Sequence, residues 1–194
     1  MTDHLGQSQV IAYLLKLASD SHVFSLISFE KPDRYRNISD SVRKMVYGKK
    51  INWYPIRYTK YPHILSTLFD LFRCFGKVFY LYTKHRFRVI HCRSHVPALI
   101  GLIMKRIFGV KFIFDMRGWW VDEKLESGHW ESWIYKVIYN LLKFLEKQFL
   151  LSSDYLVVLT YSTRKELLHR FPQLSERIIV IPTCVDFEFF GEFS

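Results

Sequence analysis

The stretch FRVIHCRSHVPALIGLIMKRIFGVKFIFDMRGWWVDE, Phe87 to Glu123, decides the fold. It reads as a strand, a crossover helix and a second strand. Val89, Ile90 and Cys92 form a short apolar run that stops at Arg93-Ser94-His95. Pro97 suits the first turn of a helix, where its missing N–H costs nothing. Ala98, Leu99, Leu102, Ile103, Ile107 and Phe108 recur at helical spacing, and Gly109 stands where a helix would end. Val110, Phe112, Ile113 and Phe114 then make a near-continuous apolar run, the pattern of a strand covered on both faces. It gives way to Asp115-Met116-Arg117-Gly118.

Two parallel strands joined in this way end on the same edge of a sheet. Open α/β sheets bind ligands in the crevice outside that edge. Arg93, Ser94, His95, Asp115 and Arg117 are therefore candidate site residues. The plain alternative is a set of ordinary polar loop residues. The functional reading rests on two successive strands that end in charged or hydrogen-bonding groups instead of Gly-Pro turns.

Upstream, Leu5-Gly6-Gln7-Ser8 leads into a helix with Val10, Ile11, Leu14, Leu17 and Ala18 on one face, capped by Ser8 or Asp3. A glycine before a helix N-terminus lets backbone approach an anion, although a simple capping loop has the same sequence. In an α/β fold such a loop follows a strand, and that first strand is missing from the pattern. His22–Phe29 reads as the next strand, Glu30–Tyr47 as a polar loop with a short helix, and Ile51–Tyr58 as another strand. Between Lys31 and Lys60 there are nine cations against Asp33 and Asp40, interleaved with Tyr35, Tyr47, Trp53, Tyr54 and Tyr58. Such a stretch fits single-stranded nucleic acid or anionic lipid headgroups, or is simply a solvated basic face. Ile64–Tyr82 is apolar enough to suggest a membrane span. Asp70, Arg73 and Lys77 interrupt it on one helical face, which makes an amphipathic helix instead.

Downstream, His129–Leu151 reads as a helix with a broad apolar stripe from Trp133 to Phe149 and with Lys136, Lys143 and Lys147 on its polar side. Tyr155–Leu159 is a strand, followed by a helix Arg164–Arg170 capped by Thr160 or Ser162, and Ile178–Ile181 is the last strand. This alternation predicts an α/β fold with a Rossmann-like doubly wound parallel sheet in a single domain spanning 1–194.

Hydrophobic residues make up 49% of the 194 residues, ample for a core. The net charge of +10 points to an anionic partner. Cys74, Cys92 and Cys184 stand far apart, which argues against a zinc site or disulfide framework and for a reducing compartment. Met1-Thr2-Asp3-His4 has neither the basic nor the apolar region of a signal peptide. There is no G-x-G-x-x-G, no Walker loop and no G-x-S-x-G elbow, so dinucleotide, P-loop and hydrolase readings lose support. His91 and His95 straddle a strand end, where a spacing of four does not put side chains together, so no metal site is expected.

LGQSQVIAYLLKLASDSH with LISFEKPDR, then HCRSH, FDMRGWWVDE, VVLT with Tyr161 and Ser162, and IPTCVDFEFF resemble, in order, the N-terminal half of GT-B glycosyltransferases of the family 4 type. The resemblance covers nearly the whole chain. It implies a retaining transfer from a nucleotide-sugar donor to a glycan or lipid-linked acceptor, with no resident metal or cofactor. It makes this half the acceptor side and leaves the nucleotide sugar mainly to a C-terminal domain. By position, Gly6 and Gln7 would lie in the loop near the donor phosphates, Arg93, Ser94 and His95 would face the acceptor, and Thr160 and Ser162 would border the cleft. Asp115 and Arg117 fall at the strand end that carries a catalytic His or Asp in many relatives, and Pro182, Val185 and Asp186 match the signature before the interdomain crossover. Glu123 and Glu131 have the spacing of the family's E-x7-E motif but flank the wrong part of the fold.

With neither the first strand nor the donor domain in the pattern, the expectation is a truncated half, inactive alone, whose second domain a separate chain would have to supply. Its expected place is the cytoplasm, peripheral to the inner face of the membrane, in cell-envelope polysaccharide synthesis. The competing class is a non-enzymatic basic module on a membrane surface or nucleic acid, with nucleic acid the less favoured partner. A module that binds a phosphorylated sugar is a third.

Overall fold

The computed structural model describes residues 1–3, 6–18, 22–61, 63–126 and 133–183. The chain folds as two compact units, Met1–Lys84 with Thr183–Ser194, and His85–Pro182. Their described strands make two parallel sheets, one of two strands and one of four.

In the first unit, β1 (Phe24–Glu30) pairs in parallel with β2 (Ile51–Arg57), from Phe24 opposite Ile51 to Glu30 opposite Arg57. A π-helical turn, Gln7–Ile11, runs into α1 (Ala12–Leu17). The crossover between the strands is α2 (Pro32–Val46), a helix of 15 residues where the sequence suggested a loop with a short helix. Pro32 opens it at a position that needs no N–H. Its apolar stripe is narrow: Ile38, Val42, Met45 and Val46 are enough to seat it on Ile11, Ala18, Ile51 and Trp53. The charges that argued for a loop line its solvated face.

Glu30 ends β1 with a buried carboxylate that accepts from the backbone N–H of Thr2 (3.0 Å), from Thr2 Oγ1 (2.6 Å) and from Ser28 Oγ (2.6 Å). Ser28 Oγ itself accepts from the Trp53 indole at 2.8 Å. Burial raises the pKa of Glu30, but hydrogen bonds from the Met1 amine, Ser28 and Thr2 outweigh it and hold the carboxyl below its ordinary value.

The unit closes with α3 (His63–His85). Its buried stripe is Ser66, Asp70, Cys74, Val78 and Leu81. Asp70 lies inside this stripe and accepts from Thr59 N (2.8 Å) and Oγ1 (2.9 Å), which fixes the loop after β2 to the helix. Arg73 donates to the Arg57 carbonyl at 3.1 Å, and the Lys77 ammonium lies 4.4 Å from the Tyr54 ring centroid. The interruptions of the apolar run are therefore the side that meets β2. Burial pushes the Cys74 thiol up to about 11. Cys74 and Cys92 are buried and in no disulfide among the described residues, and Cys184 lies outside the described residues.

The second unit is built on β3 (Val89–Arg93), α4 (His95–Phe108) and β4 (Lys111–Asp115), as the central stretch predicted. Gly109 ends α4 in the left-handed conformation at φ 68°. Then come α5 (Trp120–Glu126), α6 (Trp133–Ser152), β5 (Tyr155–Val158), α7 (Tyr161–Arg170) and β6 (Ile178–Val180). Residues 129–132, the start of the helix expected before Trp133, lie outside the described residues. The strands run in the order β3-β4-β5-β6, all parallel.

A sheet that always steps in one direction with right-handed crossovers puts its helices on one face. Accordingly Leu102 of α4, Phe149 and Leu150 of α6 and Leu167 of α7 share one core with Cys92, Phe112, Phe114, Leu156, Val158 and Ile178. This is one side of the expected doubly wound pattern. On the other face Val89, Tyr155 and Ile179 are about half exposed.

Two features set this unit's geometry. Gly101 brings α4 so close to the sheet that a Cβ there would overlap the Phe112 ring and stand 2.8 Å from Cys92 Sγ. Asp154, just before β5, accepts from Phe112 N (2.9 Å), Lys105 Nζ (2.6 Å) and Lys111 Nζ (3.1 Å). Burial opposes its charge, but these partners win and its pKa lies below the ordinary value of 3.8.

Gly101→Ala is expected to destabilise this unit by about 1–3 kcal/mol through overpacking, read from denaturant unfolding. Asp154→Asn is expected to cost on the order of 1–2 kcal/mol at neutral pH. A carboxyl with a depressed folded pKa stabilises above its unfolded pKa and loses that contribution as pH falls through the folded one. The gap between wild type and variant should therefore close as pH drops below 3.8. A gap that stays constant through that range would contradict the assignment.

Candidate functional site

The C-terminal edge of the four-stranded sheet gathers the polar residues of two strand ends. Arg93, the last residue of β3, pairs with Asp115, the last of β4. Ser94 follows with φ 76°, a conformation that non-glycine residues rarely take. Its N–H donates to the Asp115 carbonyl at 2.9 Å. The ladder is thus carried one residue past β3, and the chain then turns sharply into α4. That turn points His95, the first residue of α4, into the core, where it is 5% exposed.

The Asp115 carboxylate is held on two sides. His91 Nε2 lies 3.5 Å from Oδ2, and Arg117 Nε lies 3.0 Å from Oδ1. The second contact is an ion pair without the angle of a hydrogen bond, so Asp115 Oδ1 and Arg117 Nε are buried polar atoms with no hydrogen-bond partner. His95 Nδ1 is a third such atom, in the same turn region. Native structures pair nearly all buried polar atoms. The Asp115–Arg117 ion pair answers two of these three atoms by charge, and His95 Nδ1 is left as the buried nitrogen without a hydrogen-bond partner at this edge.

Behind this edge is a network that sequence reasoning missed. Glu146 of α6, buried, meets His95 Nε2 at 2.9 Å and Lys143 Nζ at 2.5 Å. Lys143 also donates to Asp122 at 3.0 Å, and Tyr139 donates to Asp122 at 2.9 Å. Burial works against the Lys143 charge, but hydrogen bonds to Glu146 and Asp122 dominate and raise its pKa. The hydrogen bond to Asp122 likewise raises that of Tyr139. The His95 ring stacks on Trp120 with centroids 5.7 Å apart, and Phe114 meets it edge-on at 5.4 Å. Trp119 packs under two cations, with Arg170 4.7 Å and Lys143 5.4 Å from its ring centroid.

The signal for Glu146 was in the sequence. It is a carboxylate inside the apolar stripe of α6, between Leu142 and Phe149. Such a residue is buried only with a partner. The partner, His95, is 51 residues away, and only folding brings them together.

The other expected site residues fall differently. Thr160 caps α7, its Oγ1 accepting from Thr163 N at 3.1 Å, and Ser162 is exposed in the first turn. Gly6 and Gln7 belong to the first unit. The Gly6 N–H donates to Asp3 Oδ1 at 2.8 Å, and a Cβ at Gly6 would stand 2.5 Å from that oxygen. The missing side chain therefore makes room for the residues before it. His91 and His95 point to different partners, and among the described residues no group of three His, Cys, Asp or Glu is close enough to hold a metal. Pro182 is described, whereas Glu131, Val185 and Asp186 lie outside the described residues.

An α/β unit with its polar residues collected beyond the strand C-termini belongs to the broad class of Rossmann-like ligand-binding folds. The family model for Glycosyltransferase Family 4 matches residues 6–189, and the chain belongs to that family. No curated protein matches the chain.

Glu146→Ala would leave His95 Nε2 and Lys143 without their buried acceptor. The expected cost is about 3 kcal/mol, with Glu146→Gln costing less because it keeps an acceptor oxygen. Unfolding titrations measure the cost. The ring-nitrogen resonances of His95 should shift in both variants, and unmoved resonances would remove Glu146 as the group that orients this imidazole.

Proposed function

We propose that the chain is the acceptor side of a retaining glycosyltransferase that moves a sugar from a nucleotide sugar to a glycan or lipid-linked acceptor. Membership of the family supports sugar transfer as the chemistry. The observation that supports the acceptor role is the buried cluster of His95, with Nδ1 lacking a hydrogen-bond partner, and the ion-paired Asp115 and Arg117 at the sheet edge where open α/β folds bind ligands. Asp115 is suited to accept the hydrogen of an acceptor hydroxyl, and the Arg117 guanidinium to hold an anionic group such as a phosphate. Arg93 and Ser94 extend the same edge, and Thr160 and Ser162 flank it at the end of β5. Glu146 fixes the orientation of His95, so that its free nitrogen faces one way.

In this reading the nucleotide sugar is a substrate held chiefly by a second domain, on this chain or a separate one, and the half described does not transfer sugar by itself. The setting is the inner face of the membrane, in envelope polysaccharide synthesis. Among the described residues no helix is long and apolar enough to cross a membrane.

Titration of the chain with phosphorylated sugars and short-chain polyprenyl phosphates, followed by calorimetry and by the histidine resonances, tests the acceptor role. Arg117→Ala should weaken binding at least about tenfold, the loss expected of a charge-assisted hydrogen bond. If none of these ligands perturbs His91 or His95, or if Arg117→Ala binds as wild type, the sheet edge is not the acceptor site.

A further inference from the structure

The structure assigns the outward face of α3 as a docking surface for an anionic bilayer. The inference deepens the acceptor reading, because a lipid-linked acceptor is presented at a bilayer, but its observations lie wholly within the first unit.

α3 is 23 residues long. Its inner face is already satisfied by the buried stripe from Ser66 to Leu81. The opposite face carries a second apolar stripe at helical spacing: Leu65 (66% exposed), Leu68 (58%), Phe69 (54%), Phe72 (75%), Phe79 (42%) and Tyr80 (51%). A helix on the surface of a soluble protein turns polar residues outward. A contiguous run of exposed Leu and Phe marks an interaction surface.

Charge selects the occupant. Between Arg57 and Lys84 the cations are Arg57, Lys60, Arg73, Lys77 and Lys84. The one carboxylate in that span, Asp70, is buried and bonded to Thr59, so no acid on the span faces outward. Arg73, Lys77 and Lys84 are spaced four and seven apart and line the boundary between the apolar stripe and the side that meets β2. Arg73 and Lys77 contact the Arg57 carbonyl, Asp70 and the Tyr54 ring there, and Lys84 continues the line in the exposed last turn. Tyr58 and Tyr61, both exposed, sit beside Lys60 in the loop that enters the helix. Apolar face, basic flank and interfacial tyrosines are the composition of a helix that lies in the headgroup plane. Asp70, Arg73 and Lys77 keep it from spanning. A second copy of the chain would bring like-charged flanks together on a protein of net charge +10. A nucleic acid has no use for the leucines.

The test uses the full chain and vesicles of phosphatidylglycerol with phosphatidylcholine, against phosphatidylcholine alone. Co-sedimentation with the anionic vesicles is expected, weakened by about 0.5 M salt, which shortens the screening length. Phe72→Glu should reduce it at least about tenfold, and Lys84→Glu several-fold on anionic vesicles only. Both side chains are exposed, and circular dichroism checks that each variant folds. Equal binding by wild type and Phe72→Glu, or no binding to either vesicle, overturns the assignment. A dimer in sedimentation velocity that Phe72→Glu converts to monomer gives the face to a second copy and also overturns it. Vesicle binding that persists while phosphorylated sugars fail to bind would sink the acceptor reading and leave the docking surface standing.

Discussion

The parallel pairing of β3 with β4 is the constraint on which the candidate site depends. It is tight because Gly101 lets α4 press on Phe112 and Cys92 with no side chain between. It is also extended, because Ser94 takes a left-handed backbone and donates to the Asp115 carbonyl. Without that extra rung the turn into α4 would open. His95 would then lose its place on Phe114 and Trp120, and Asp115 its fixed distance from His91 and Arg117.

Behind the edge, α6 supplies the counter-charges. Glu146 and Asp122 hold Lys143 between them, and Glu146 also holds His95. A buried carboxylate with two donors is stable only while both remain. The network therefore couples the orientation of one imidazole to the packing of α5 and α6. Rigid support of this kind is what a binding site needs if its free polar atoms are to stay in register. The cation–π contacts of Trp119 with Arg170 and Lys143 extend it to α7.

Much of the architecture was legible because each signal was local. The β3-α4-β4 unit follows from apolar runs, a helical period and a left-handed glycine cap. The strands at Ile51, Tyr155 and Ile178 follow in the same way, and of the two caps the sequence offered, Thr160 and Ser162, the structure uses Thr160. α2 was under-read because its core stripe is only four residues wide and its other faces are charged. The outward apolar stripe of α3 escaped notice because composition shows that a helix is apolar and not which side is covered. The buried side includes Asp70, although a carboxylate in an apolar run is the pattern of a polar face.

By itself the sequence determined the α/β alternation, the parallel strands and the polar residues at two strand ends, because period, caps and turn residues act over a few positions. Its ordered motifs also carried the family resemblance, and the family model bears it out. Only the tertiary structure decided that, among the described residues, α4, α6 and α7 pack on one face of the four-stranded sheet, since strand order depends on which edge each crossover reaches. It also decided that Glu146 is the partner of His95 and that α3 keeps a second apolar face in the open. These are contacts, or the lack of them, between groups far apart in the chain. No local pattern encodes them, because burial is a property of what else arrives.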